Sequence, residues 1–144
     1  CTVDEDFTAY GLLDHRHTPE MEQVLGASVL FTPHLAPMSR GILASCYARP
    51  TGPTSTAALL EALRAAYADE PFVVVTDGSP STKATLGSNC AHVTARYDER
   101  TGWVLAIGAI DNLTKGASGA AVQCANLLLG LPETAGLPIA GVYP

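Results

Sequence analysis

The chain has 144 residues, of which 47% are hydrophobic and 15% charged, and its formal net charge is −6. That length suits a single domain, residues 1–144, with a proper core; eight scattered Lys and Arg form no basic stripe and exclude a nucleic-acid surface. No apolar run approaches the roughly 20 residues needed to span a bilayer and no signal peptide is recognised, so a soluble, cytoplasmic protein is expected. A mean hydropathy of +0.19 suggests that something besides this chain covers part of its apolar surface. Cys1, Cys46, Cys90 and Cys124 share no short spacing, which argues against a disulfide scaffold or a zinc site and for free thiols.

Residues 4–11 are acidic and without a clear period, and read as a lead-in loop or edge strand. A short helix is expected over residues 18–26. Thr18 would be its N-cap, Pro19 suits the first turn, Glu20 and Glu22 suit the positive end of the helix dipole, and Gly26 ends it. Met21, Val24 and Leu25 would share its apolar face. Residues 28–35 alternate loosely around Val29, Phe31 and Leu35, and residues 41–49 read as a strand. Residues 56–69 carry the surest helical stripe, in Leu59, Leu60, Leu63, Ala66 and Tyr67. Residues 72–75 form a short buried strand. Residues 91–97 and 103–110, joined by a turn, are the clearest antiparallel pair. Ser118 would cap a last helix with Ala121, Val122, Ala125, Leu128 and Leu129 on one face. In the Pro/Gly-rich tail to Pro144, residues 139–142 could add an edge strand. Strands and helices are segregated, so the fold class is α+β, with a mixed or mainly antiparallel sheet and helices packed on one face.

Chemistry concentrates in Asp14-His15-Arg16-His17-Thr18-Pro19-Glu20. If the stretch is extended, His15 and His17 point the same way. The pair then serves metal ligation completed by Glu20 or Asp14, or an acid/base imidazole beside the anion-binding Arg16, or an ordinary decorated turn. A small metal-dependent hydrolase on His15, His17 and Glu20 is one function this allows. Residues 111–116 place polar groups and Lys115 at a strand-to-helix junction, where a phosphate or nucleotide could be contacted. The same residue types also make plain turns. Ser39-Arg40-Gly41 and Gly87-Ser88-Asn89 read as ordinary turns. Cys46 and Cys124 read as core, and no cysteine stands beside a base. No G-x-G-x-x-G follows a strand.

Taken together, His15-Arg16-His17-Thr18-Pro19-Glu20, Phe31-Thr32-Pro33-His34-Leu35, Ser39-Arg40-Gly41-Ile42-Leu43, Gly87-Ser88-Asn89 and residues 109–116 resemble N-acetyl-gamma-glutamyl-phosphate reductase, and residues 120–127 continue the likeness. The resemblance implies the later part of the C-terminal, substrate-binding and dimerisation domain, of the glyceraldehyde-3-phosphate-dehydrogenase-like α+β type. It implies His15 as the acid/base residue, Tyr10, Arg16, His17 and Glu20 around the substrate, and Asn112 and Leu113 near the nicotinamide side of NADP. It implies no metal; the antiparallel strands of residues 91–110 and the apolar composition suggest a self-association surface and a homo-oligomer, dimer or tetramer. The family's nucleotide-binding domain and catalytic cysteine have no counterpart in these residues, so the chain is expected to be a piece of the reductase and inactive alone. A non-catalytic dimerisation or interaction module of the same fold is the alternative.

Overall fold

The computed structural model describes residues 5–142; the expectations on Cys1, Asp4 and Pro144 lie outside the described residues. It divides into two compact units, one ending at Ser39 and one beginning at Arg40.

In the first unit, β1 (Thr8–Ala9) pairs antiparallel with β2 (His34–Leu35). Only these last two residues of the expected 28–35 strand are extended. Tyr10 continues the ladder, its N–H donating to the Pro33 carbonyl at 3.1 Å. Helix α1 (Thr18–Leu25) ends at Gly26, which adopts the left-handed conformation (φ 64°) that glycine tolerates. The expectation that Thr18 caps α1 is corrected. His17 holds the cap position without a side-chain cap bond, because a turn closed by the Thr18 N–H on the His15 carbonyl (3.0 Å) winds the chain one residue early. No residue of α1 is buried, and Val24 is 86% exposed.

The second unit is a four-stranded sheet in the order β3-β6-β5-β4. Strands β5 (Ala91–Asp98) and β6 (Trp103–Ile110) form the expected hairpin, in register from Asp98 opposite Trp103 to Ala91 opposite Ile110. Strand β3 (Ile42–Ala48) adds antiparallel to β6, and β4 (Val73–Val75) adds parallel to β5. The sheet is therefore mixed and mainly antiparallel. Helix α2 (Thr56–Ala66) lies against β5 and β4, and the Ser55 hydroxyl caps it by accepting from the Ala58 N–H at 3.2 Å. Leu60 from α2 joins Phe72, Cys90, Ala95 and Ala109 in a small apolar core. Beside it lies a second buried set that is polar: Thr85, Ser88, Asn89, Asp111 and Asn126. Most of their polar atoms are hydrogen-bonded, as buried polar groups generally are, and they tie together the loops at one end of the sheet.

Several local expectations are overturned. Ser118 does not cap the last helix through its side chain. A π-helical turn (Thr114–Ser118) precedes α3 (Gly119–Leu128), and the Ser118 hydroxyl donates back to the Leu113 carbonyl at 2.8 Å. Residues 139–142 form no strand; instead the Val142 N–H bonds the Leu86 carbonyl (2.9 Å) and the Asn89 N–H bonds Pro138 (2.8 Å). The cysteines reverse: Cys46 and Cys124 are exposed and Cys90 is buried. Strand β3 is a sheet edge with every residue exposed, so a strand-like sequence there did not mean burial. No helix among the described residues is long and apolar enough to cross a membrane.

Candidate functional site

In the first unit the β1–β2 ladder and the turn before α1 gather an aromatic cluster around His15. The His15 ring meets Phe31 (centroids 5.1 Å) and Tyr10 (5.5 Å) edge-on, and His17 at 5.2 Å. Its Nδ1 accepts the His17 backbone N–H at 3.3 Å. In the neutral ring that bond leaves the proton on Nε2, so His15 presents an N–H donor beyond the cluster. His15 is half-buried, whereas Tyr10 and His17 are exposed. His17 Nδ1 pairs instead with Glu20 Oε2 at 2.8 Å, a one-turn contact at the start of α1. Arg16 is exposed and makes no ion pair among the described residues. Tyr10, His15, Arg16, His17 and Glu20 thus lie together on one short segment and its flanking ladder. Phe31 completes the cluster. It appeared in the family-like motif but was not singled out as a site residue, because a lone phenylalanine in sequence reads only as core.

Glu20 is engaged with His17, and His15 Nδ1 is turned to a backbone amide. Among the described residues no group of three or more His, Cys, Asp or Glu could hold a metal ion.

The second cluster lies wholly within the second unit. The Asp111 side chain is fully buried, accepts three backbone N–H groups and forms an ion pair with Arg40. Oδ1 takes the N–H groups of Leu113 (2.9 Å) and Thr114 (2.8 Å), and Oδ2 takes the Gly87 N–H (2.7 Å) and pairs with Arg40 Nε (2.8 Å). Burial pushes the Asp111 carboxyl up, but the amides of Gly87, Thr114 and Leu113 and the Arg40 guanidinium outweigh it and hold the pKa at about 2. Arg40 Nη2 also donates to Thr114 Oγ1 (3.0 Å), and the Gly41 N–H donates to Asn112 Oδ1 (2.7 Å). Asn112 therefore uses its amide oxygen inside the fold, while Leu113 points outward, 53% exposed. Lys115, expected as a phosphate contact, turns inward: its Nζ bonds Gln123 Oε1 (2.7 Å) and lies 5.4 Å over the Phe72 ring. Gln123 also accepts from Asn89 Nδ2 (2.9 Å) and donates to Glu133 Oε1 (2.6 Å). Ser39 is exposed, whereas Arg40-Gly41 and Gly87-Ser88-Asn89 are parts of a polar centre, not plain turns. Their partners lie far away in sequence, which no local signal reveals.

Comparison with known proteins gives a consistent picture. N-acetyl-gamma-glutamyl-phosphate reductase of Saccharopolyspora erythraea is 54% identical over 90% of this chain and 40% of its own length. The proteins of that name from Frankia casuarinae (52% identical, 96% of this chain, 43% of that protein) and Citrifermentans bemidjiense (50%, 100% and 44%) are similar. The chain thus spans less than half the length of these relatives. Two crystal structures of aspartate semialdehyde dehydrogenase II from Vibrio cholerae, one complexed with ASA, superimpose with TM-scores of 0.61 (the complex) and 0.64. Each match is 19% identical and covers 78% of this chain and 35% of the other, a likeness of fold. The family described as semialdehyde dehydrogenase, dimerisation domain, matches residues 1–112, and the chain belongs to it.

Proposed function

We propose that this chain is the substrate-binding and dimerisation part of a cytoplasmic N-acetyl-gamma-glutamyl-phosphate reductase. That enzyme reduces N-acetylglutamyl 5-phosphate to N-acetylglutamate 5-semialdehyde with release of phosphate, in arginine biosynthesis. The observation that carries the reading is identity of 50% or more to reductases of that name over 90% or more of the chain. Gathering of the motif residues around one imidazole supports it.

In the reaction a cysteine thiolate of the full-length enzyme attacks the acyl phosphate, phosphate leaves and a thioester remains. NADPH, when bound, supplies the hydride that reduces the thioester. His15 serves this chemistry through Nε2: the aromatic cluster and the His17 amide orient the ring, and its N–H faces the developing oxyanion. Arg16 offers an uncommitted guanidinium to the anionic substrate. Tyr10, His17 and Glu20 line the approach, with His17 and Glu20 holding each other in place. Leu113 suits a contact with the flat nicotinamide, since it is an apolar side chain held outward by a rigid backbone, and Asn112 stands beside it. The second unit exposes the whole of strand β3, which suits pairing with another copy into a homo-oligomer.

The test is His15→Ala in the full-length reductase. Turnover should fall about 100-fold or more, the scale of lost acid/base catalysis. An unchanged kcat removes His15 from the mechanism.

A further inference from the structure

We propose that Asp111 and Arg40 form a positioning latch for the loop at residues 112–114, fixing its backbone so that Leu113 is presented outward to the cofactor. The proposal rests on the reading above that Asn112 and Leu113 meet the nicotinamide. Neither latch residue needs to touch the cofactor; both act through the loop.

The geometry supports this from three sides. Asp111 is the residue after β6, so its main chain is anchored by the sheet, and its carboxylate reaches forward to the amides of Leu113 and Thr114. Arg40 closes on the same loop with two prongs, Nε to Asp111 and Nη2 to Thr114 Oγ1. Gly41 grips the loop's other side through Asn112 Oδ1. Only glycine fits there: φ is 117°, and a Cβ would fall 2.6 Å from the Thr82 Cβ. A fully buried carboxylate bonded by three backbone N–H groups and paired with a guanidinium is a stiff support, whereas an amide in its place would turn an N–H toward other N–H groups. Leu113 makes its outward excursion between bonds on either side, so its direction is set by the latch.

The experiment uses full-length reductase with Arg40→Gln, Asp111→Asn and Leu113→Ala. NADPH affinity is read by fluorescence titration, KM for the acyl phosphate by steady-state kinetics, and hydrogen exchange over residues 111–118 without cofactor. Arg40→Gln should weaken NADPH binding about 10-fold and speed exchange at residues 113–114, while KM for the acyl phosphate stays within about 2-fold. Leu113→Ala should weaken NADPH without changing exchange. Asp111→Asn should exceed Arg40→Gln in both readouts; if it fails to fold, Arg40→Gln decides alone, since that side chain is partly exposed and surrenders fewer bonds. Faster exchange with wild-type NADPH affinity in Arg40→Gln overturns the latch, and so does wild-type exchange. If Leu113→Ala keeps its response in that case, the latch alone has failed. If Leu113→Ala also binds NADPH normally, the cofactor-facing reading of the loop has failed with it.

Discussion

At Gly11 the backbone has φ +56° and runs against the His15 imidazole, so that a Cβ there would come within 2.9 Å of His15 Cδ2. Gly11→Ala therefore meets two penalties, a left-handed backbone that costs about 1 kcal/mol for a residue with a Cβ and a push on the ring. In the full-length enzyme kcat should fall about 10-fold or more while the fold survives; a steady-state comparison beside a thermal melt separates the two effects. Asp111 gives a prediction in pH. Its folded pKa, about 2, lies below its ordinary value of 3.8. Its contribution to stability is thus fully present above about pH 4 and is lost as the pH falls through about 2. The loss is on the order of 2 kcal/mol. Urea midpoints measured from pH 5 down to pH 2 should show that decline, and Asp111→Asn, where it folds, should flatten it. The clustering around His15 was legible because Tyr10 and His17 are close to it in sequence. That around Asp111 was not, because Gly87 is 24 residues away and Arg40 lies on another segment altogether.

Among the elements, the β5–β6 hairpin and α2 were readable from alternation and from a helical stripe, since each forms from neighbouring residues. The approach to α3 was not. A serine before an apolar run signals an N-cap, yet the chain winds a π-helical turn there to bring the Gly116 and Ser118 N–H groups back to the Asp111 and Leu113 carbonyls (2.9 and 3.1 Å). Gly119 makes that winding possible. A Cβ on it would overlap Asn89 Oδ1, on a fully buried side chain, and lie 2.7 Å from the Thr114 carbonyl oxygen. Gly119→Ala should cost about 3 kcal/mol, the upper range for overpacking, seen as a lower urea midpoint for the domain. A wild-type midpoint would show that the Asn89 side chain can yield. Strand sequence alone also misjudged Cys46. Periodicity reports which residues share a face, but whether that face is covered depends on what lies beyond the sheet edge.

In the second unit, the edge strand β3 exposes three large apolar side chains, Ile42, Leu43 and Tyr47. Leu43 and Tyr47 lie on one sheet face in register with Ala109 and Leu105 of β6, and Tyr47 is 67% exposed. An uncovered edge strand of this kind invites pairing. Light scattering of the full-length reductase at micromolar concentration should give at least a dimer, and charged substitutions at Leu43 and Tyr47 should shift it toward monomer. A strictly monomeric wild type would refute the assignment. The order in which the sheet closes has its own consequence. The β5–β6 hairpin forms from adjacent residues, but β3 reaches β6 only after α2, β4 and β5 have been laid down between them, a closure that long sequence separation slows. Arg49, just past the end of β3, places its guanidinium 4.1 Å over the Trp103 ring and donates to the Thr101 carbonyl. Trp103 is the one tryptophan in the chain. Docking of the edge strand brings that guanidinium over the ring, so Trp103 emission reports when the sheet closes.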